Sequence, residues 1–133
     1  MTRRELREHL FKLVFQKEFY GQEELSEQGS LYLTEEGMPE EKDQTEVVER
    51  FKQVMEHLPE IDALIEQAST GWKLSRMNKV DLSLLRVAVF EMRWDERVPD
   101  KVAVNEAVEL AKQFGGDDSS AFVNAVLAKI IKA

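Results

Sequence analysis

The stretch from Asn78 to Trp94 constrains the fold more than any other part of this chain. Read at about 100° per residue, its apolar side chains cover most of the circumference of a helix. These side chains are Val80, Leu82, Leu84, Leu85, Val87, Ala88, Val89, Phe90 and Met92. A helix that is apolar on nearly every side needs neighbours on nearly every side, so we expect this one to be central in a helical bundle.

The polar residues of this central helix carry two further predictions. Asn78 is suited to cap the first turn, where the Asp81 carboxylate can meet the unpaired amides and the positive end of the helix dipole. Arg86 lies among apolar neighbours. Because an unpaired buried guanidinium is costly, Arg86 must reach solvent or form an ion pair.

The rest of the chain also has helical periodicity, and no segment alternates with the two-residue period of a strand. Helices are predicted at 2–20, about 43–58, 59–70, 100–114 and from about 119 onward. We expect Trp72, Leu74 and Met77 to form an apolar bridge into the central helix. Short connections favour antiparallel packing, so the fold class is all-α with about seven helices.

Composition limits the class of protein. At 133 residues the chain fits one domain, and the absence of cysteine excludes disulfides, thiolate metal sites and thiol catalysis. Neither a secretory signal nor a membrane span is readable, so we expect a cytoplasmic protein. Residues 18–49 carry eleven acidic side chains and one basic one, Lys42. Short helices are possible within this acidic segment, which we expect to be the most mobile part of the chain.

Charge is distributed unevenly along the chain. The net charge of −8 argues against indiscriminate binding to nucleic acids, which are polyanions. Residues 1–17 nevertheless carry five basic side chains against two glutamates. Arg3, Arg4 and Arg7 are expected to project beyond the surface on which the first helix packs. Such a cluster suits an anionic partner, and the alternative is a solvated basic terminus.

No pattern of a catalytic site is present. The sequence has no glycine-rich phosphate loop, nucleophile elbow or HExxH motif, so we expect neither an enzyme nor a cofactor. His9, expected on the polar side of the first helix, and His57 are 48 residues apart and lack clustered carboxylates, so no metal site is predicted. Binding is the better hypothesis.

Recognition of single-stranded RNA requires cations for phosphates, flat side chains for stacking, and amides or carboxylates for base edges. Arg3, Arg4 and Arg7 are candidates for the phosphate contacts. Phe122 or Tyr20 is a candidate for stacking, and Asn105 or Asp118 for contacts with base edges. Lys101, Asn105 and Lys112 also share one margin of their predicted helix, and we expect Lys101 and Asn105 to lie near RNA.

The segment from Trp72 to Ile130 resembles the NusB family of bacterial transcription antitermination factors. The matching motifs are Trp72 with Arg76, LRVAVFEM from Leu85, VPDKVAVNEAVELAKQFG from Val98 and FVNAVLAKI from Phe122. The first helix matches more loosely, through its arginines and an aromatic residue near Tyr20, while residues 22–58 carry little family signature.

This resemblance implies two small helix bundles around a long helix, within a single domain whose bundles we place at residues 1–70 and 71–133. It also implies a non-catalytic function, the binding of the boxA element of nascent ribosomal RNA together with NusE, a small-subunit ribosomal protein, in the RNA polymerase antitermination complex.

The resemblance also implies roles for individual residues. The arginine-rich start of the chain corresponds to the family's phosphate contacts. Asp118 and Phe122, at the opening of the last helix, correspond to its RNA surface. Arg76 and Asp81 correspond to the side that binds NusE. We expect the starts of the first and last helices to come together. Ala125 replaces a family glycine, and Glu5 and Glu8 dilute the basic start, so affinity for RNA without NusE is expected to be weak.

Two other hypotheses belong to different classes. In one, the protein is a homodimeric interaction module whose RNA surface is covered in the dimer. In the other, it is connected with an enzyme, since a similar domain precedes the catalytic domain of ribosomal RNA cytosine methyltransferases. We discount the second, because 133 residues leave no room for a cofactor domain.

Overall fold

The computed structural model describes residues 1–18 and 40–132. These residues form six α-helices and one short 3-10 turn, with no strand among them. The helices are α1 (Arg3–Gln16), α2 (Glu41–Glu56), α3 (Leu58–Ala68), α4 (Lys79–Trp94), α5 (Asp100–Phe114) and α6 (Ser119–Lys132), and the 3-10 turn is Leu74–Arg76. The predicted all-α fold class is confirmed. Tyr20 and the short helices considered possible at residues 23–28 and 31–36 lie outside the described residues.

The chain divides into two compact units, Met1–Gln53 and Val54–Ala133. The first unit holds α1 and most of α2, and the second holds α3 to α6. The division of one domain into bundles at residues 1–70 and 71–133 stays a prediction, and so does the meeting of the starts of α1 and α6, which belong to different units.

In the first unit, α1 begins with a reciprocal cap. The Glu5 amide donates to Thr2 Oγ1 at 3.1 Å, and the Thr2 amide donates to Glu5 Oε1 at 3.3 Å. Such a pair satisfies two amides that the first helical turn leaves without partners. The apolar core of this unit includes Leu6, Leu13 and Val47, with Val48 and Phe51 packed against it. His9 is only 9% exposed, so the prediction that it lies on a polar face is wrong.

In the second unit, α4 packs against α3, α5 and α6. Every residue from Asp81 to Glu91 is buried, which confirms the prediction of a helix covered on nearly every side. The Asn78 side chain accepts hydrogen bonds from the amides of Val80 at 2.8 Å and Asp81 at 3.4 Å, so the predicted cap is also confirmed.

The buried guanidinium of Arg86 forms an ion pair with a carboxylate on α3. Its Nε donates to Asp62 Oδ1 at 2.9 Å and its Nη2 donates to Asp62 Oδ2 at 3.0 Å, a two-pronged contact that matches the planar guanidinium to the carboxylate. At the other end of α4, Arg93 Nη2 donates to the carbonyl of Ile130 at 3.1 Å. Charged side chains therefore tie α4 to α3 and to α6.

The connection between α5 and α6 is tight. A Cβ atom at Gly115 would lie 2.4 Å from the Cβ of Ser119 and 2.8 Å from the carbonyl oxygen of Ala111. The Gly116 amide donates to Ser119 Oγ at 3.0 Å. A side chain at position 115 would therefore crowd the first residue of α6. No helix in the described residues is long and apolar enough to cross a membrane.

Candidate nucleic-acid interface

The basic cluster at the start of α1 is only partly open to solvent. Arg3 and Arg4 are exposed as expected, whereas Arg7 is 8% exposed. Arg7 follows Arg3 by about one helical turn and lies on the packed side of the helix. The prediction that all three arginines project from the surface is therefore wrong for Arg7, and the two exposed members of the cluster are Arg3 and Arg4.

Acidic groups of α2 lie against this basic cluster. Arg3 Nη1 donates to Glu46 Oε1 at 2.7 Å, while 60% of the Arg3 side chain remains exposed. The terminal amino group of Met1 lies 3.6 Å from Asp43 Oδ2. Because ion pairs exposed to water are weak, Glu46 competes with an incoming phosphate for Arg3 but does not block it.

Glu5 has a structural role that its negative charge alone does not indicate. Hydrogen bonds from the side chain and backbone of Thr2 stabilise the carboxylate and lower the pKa of Glu5. The signal in the sequence is threonine followed three residues later by glutamate, the pattern of a capping box. Glu5 thus places a negative charge among the arginines, and the same carboxylate caps the first turn of α1.

Two of the predicted polar contacts lie on α5. Lys101 and Asn105 are exposed, and their spacing of four places them on one face of the helix. Lys112, on the same margin, lies 3.3 Å from Glu109 Oε1. Of the three residues on this margin of α5, Lys101 and Asn105 are therefore the candidates for contact with RNA.

The start of α6 brings Asp118 and Phe122 together. The Asp118 carbonyl accepts from the Phe122 amide at 3.0 Å, so Asp118 immediately precedes α6 and Phe122 lies one turn later, with Asp118 exposed and Phe122 half-buried. This arrangement places a carboxylate, which can accept from the amino group of a base, one turn from an aromatic ring.

Trp72 adds a second aromatic ring to this place. Its ring centroid lies 6.2 Å from that of Phe122, with the planes inclined by 71° in an edge-to-face arrangement. Trp72 is 54% exposed, whereas Met77 is buried and Leu74 is half-buried. Of the three residues predicted to form an apolar bridge into the central helix, Met77 is therefore the one that is fully buried. Gly71, with φ of 85°, turns the chain just before the indole.

The two residues predicted for a protein partner differ in exposure. Arg76 is exposed at the end of the 3-10 turn, and Asp81 is 8% exposed in the first turn of α4. Asp81 Oδ1 is buried and has no hydrogen-bond partner among the described residues. A buried carboxylate oxygen without a donor is costly, so a donor at this position stabilises it.

The described residues contain no group of three or more histidine, aspartate or glutamate side chains arranged to hold a metal ion. The surfaces that remain are the start of α1 with Arg3 and Arg4, the face of α5 with Lys101 and Asn105, and the start of α6 with its two aromatic rings. Each of these surfaces presents exposed polar groups.

Comparison with known proteins gives a consistent result. A model of the NusB family matches residues 4–132. The chain is 53% identical over 133 residues to the transcription antitermination protein NusB of Lachnoclostridium phytofermentans, covering 98% of this chain and 99% of that protein. It is 48% identical over 129 residues to the protein of the same name from Agathobacter rectalis, covering 97% of this chain and 98% of the relative.

Solved structures agree with the sequence matches. The NusB structure of T. maritima is 31% identical and superposes with a TM-score of 0.83, covering 99% of this chain and 92% of that one. A chain in the crystal structure of antitermination factors NusB and NusE in complex with dsRNA superposes with a TM-score of 0.86 over 98% of this chain and 96% of that one. At 22% identity, this second likeness concerns the fold alone.

Proposed function

Because this chain belongs to the NusB family of transcription antitermination proteins, we propose that it binds the single-stranded boxA element of nascent ribosomal RNA together with NusE. The family consists of antitermination factors and not of enzymes. The proposed function is therefore to bind other macromolecules and hold them together. In this proposal the pair joins the RNA polymerase antitermination complex in the cytoplasm, where bacterial RNA is made.

The observation that carries the proposal is the first turn of α6. Phe122 presents an aromatic ring one turn from the exposed Asp118 carboxylate. A base of single-stranded RNA offers a flat face for the ring and, in adenine, cytosine or guanine, an amino group for the carboxylate. Bases within a duplex have their faces stacked and hidden, so this arrangement favours an unpaired strand.

Phosphate contacts are assigned to the exposed cations. Arg3 and Arg4 at the start of α1 and Lys101 on α5 are open to solvent, and Asn105 beside Lys101 can donate or accept at a base edge. Arg7 also belongs to the proposed RNA-binding set, but its burial means that it contributes mainly by supporting α1. These few cations on a chain of net charge −8 favour weak binding by the protein alone.

NusE is proposed as the partner that completes the RNA surface. One solved relative is a complex of NusB and NusE, which supports a pair of this kind. Arg76 and Asp81 are proposed on the NusE side, where the exposed side chain of Arg76 is the one that a partner can contact directly. Replacing Arg76 by alanine is then expected to weaken the binding of NusE.

The test measures binding to fluorescently labelled boxA RNA and to a scrambled RNA, each with and without purified NusE. We expect the tightest binding for boxA with NusE and weak binding for either RNA without it. Equal affinity for boxA and scrambled RNA in the presence of NusE contradicts the proposal.

Light scattering on the same samples tests the homodimeric alternative. A complex of one chain with one NusE supports the proposal. A tight homodimer that does not bind NusE contradicts it and supports the interaction module whose RNA surface is covered by a second copy.

A further inference from the structure

Trp72 has an indole side chain that is largely exposed to solvent. Among the described residues, the exposed large hydrophobic side chains are Met1, Trp72, Val102 and Ile131, and Trp72 is the aromatic one, with 54% of its surface exposed. Burying apolar surface is the dominant favourable contribution to folding, so an indole that stays exposed to water does not contribute this stabilisation to the folded state. Indoles kept at a surface commonly serve as contact residues.

The backbone holds Trp72 in this exposed position through a defined turn. The Trp72 amide donates to the carbonyl of Ser69 at 3.1 Å, and the hydroxyl of Ser69, which is 5% exposed, donates to the carbonyl of Trp72 at 3.1 Å. Gly71 has the positive φ of 85° that this turn requires. The indole is thus displayed from an ordered turn, so binding need not bear the cost of ordering that backbone.

Phe122 fixes the indole from the side of α6. Rings in an edge-to-face arrangement attract each other through the positive edge of one and the negative face of the other. Each ring has two faces, and such a contact uses one face of one ring. With a centroid separation of 6.2 Å and 54% of Trp72 exposed, the pair leaves aromatic surface on which a third flat group can stack.

A positive charge accompanies this pair. The exposed ammonium of Lys129 on α6 donates to Thr70 Oγ1 at 3.0 Å, within the same turn that carries Trp72. An ammonium has three N–H donors, so this one can also meet an anion. Lys73, which follows Trp72, is exposed as well. Flat apolar surface next to cations is the combination used by proteins that bind single-stranded nucleic acids.

We propose that Trp72 and Phe122 form a two-ring stacking platform for one unpaired base of the bound RNA, with Lys129 at the adjacent phosphate. This inference rests on the proposed function and adds Trp72 as a stacking residue and Lys129 as a phosphate contact. The occupant is a nucleobase, because an exposed aromatic pair flanked by lysines matches a flat group linked to an anion.

Fluorescence can test the stacking directly, since the chain has two tryptophans, Trp72 and Trp94. Trp94 is half-buried and stacked on His57 at a centroid distance of 4.4 Å. Trp94→Phe therefore leaves Trp72 as the single reporter, and Trp72→Phe leaves Trp94. Single-stranded boxA RNA, added to each variant bound to NusE, is expected to quench the emission of Trp94→Phe and to leave that of Trp72→Phe unchanged.

Affinity provides the second readout. Stacking of a base on an aromatic side chain makes a large contribution, so Trp72→Ala is expected to weaken RNA binding by about 5- to 100-fold, measured by anisotropy of labelled RNA. Trp72→Phe keeps a flat ring and is expected to lose less. Ile131→Ala is the matched control, since Ile131 is also an exposed apolar side chain and lies at the far end of α6.

The outcomes separate this inference from the proposed function. If wild-type protein with NusE does not bind boxA, the proposed function fails. If it binds while Trp72→Ala binds equally well and Trp94→Phe shows no quenching, the stacking platform alone is overturned. If Trp72→Ala loses NusE and not RNA, Trp72 contacts a protein, which also overturns the platform. Far-UV circular dichroism confirms that each variant is folded.

Discussion

Arg86 is the residue on which the packing of α3 against α4 depends most clearly. Its side chain is 6% exposed, and Asp62 supplies a two-pronged partner from α3. A buried guanidinium without its partner costs more than the pair contributes, because desolvation of the charge is no longer offset. The pair therefore links α3 to α4 through two charge-assisted hydrogen bonds.

Asp62→Ala is expected to lower the free energy of unfolding by about 2–4 kcal/mol, since it leaves the Arg86 charge buried without this carboxylate. Urea denaturation measures the change. Glu66→Ala, which removes an exposed acid from the same helix, is the matched control and is expected to change stability by less than about 0.5 kcal/mol. A loss for Asp62→Ala no larger than that of the control contradicts this account.

Glu5 makes the start of α1 sensitive to acid. Its pKa lies below the ordinary value of 4.5 because Thr2 donates side-chain and backbone hydrogen bonds to the carboxylate. A group with a lowered pKa in the folded state stabilises that state above the ordinary pKa, and this contribution is lost as pH falls through the lowered value.

Glu5→Gln is therefore expected to be less stable than wild type at neutral pH, with the difference disappearing as pH falls below the ordinary carboxyl range. Urea midpoints at neutral and acidic pH measure it. Glu49→Gln on α2, which changes an exposed glutamate, serves as the control. A difference for Glu5→Gln that stays constant with pH would contradict the role of the ionised cap.

At the scale of elements, the α5–α6 connection positions the proposed RNA surface. Gly115 lies against Ser119 and Ala111, and the turn that follows leads through Asp118 into α6, which carries Phe122 in its first turn. Backbone crowding at Gly115 would therefore move the start of α6. The neighbouring Gly116 has open space around its Cβ position and no positive φ.

Gly115→Ala is expected to destabilise the protein by about 1–3 kcal/mol, because the new methyl group meets backbone and a short side chain that cannot move away easily. It is also expected to weaken RNA binding, since Asp118 and Phe122 shift together. Gly116→Ala should change neither property appreciably. Thermal unfolding and RNA anisotropy measure both variants, and equal behaviour of the two glycines would rule out the packing argument.

At the scale of the whole molecule, the net charge of −8 sets how RNA can be bound. Such a chain repels a polyanion at long range, so binding relies on a few local cations and on a partner. Arg3 and Arg4 are the exposed members of the basic cluster in the first unit. Their contribution should appear in the salt dependence of binding more clearly than in affinity at a single salt concentration.

Replacing Arg3 and Arg4 together by alanine is expected to weaken boxA binding and to reduce the salt slope by roughly 0.7 for each phosphate that is no longer neutralised. NusE binding should not change. Lys52→Ala, which removes an exposed cation from α2, is the control for net charge. Adding Arg7→Ala should mainly lower stability, because Arg7 is buried. An unchanged salt slope in the double variant removes the basic cluster from the RNA surface.

Much of this protein follows from local sequence patterns. The central helix, its Asn78 cap, the all-helical class and the family motifs are readable because periodicity, capping and motif spacing depend on residues a few positions apart. Asp118 and Phe122 could be paired in the same way, since one helical turn separates them. The capping role of Glu5 is equally local, because Thr2 lies three residues before it.

Other features depend on which helix covers which part of its neighbour. Arg86 required a partner, but the choice of Asp62, 24 residues away, depends on the packing of α3 against α4. The burial of Arg7 and the exposure of Trp72 beside Phe122 have the same origin. A hydrophobic pattern defines the face of a helix, whereas the extent of that face that is covered, and by what, is fixed only when the helices pack.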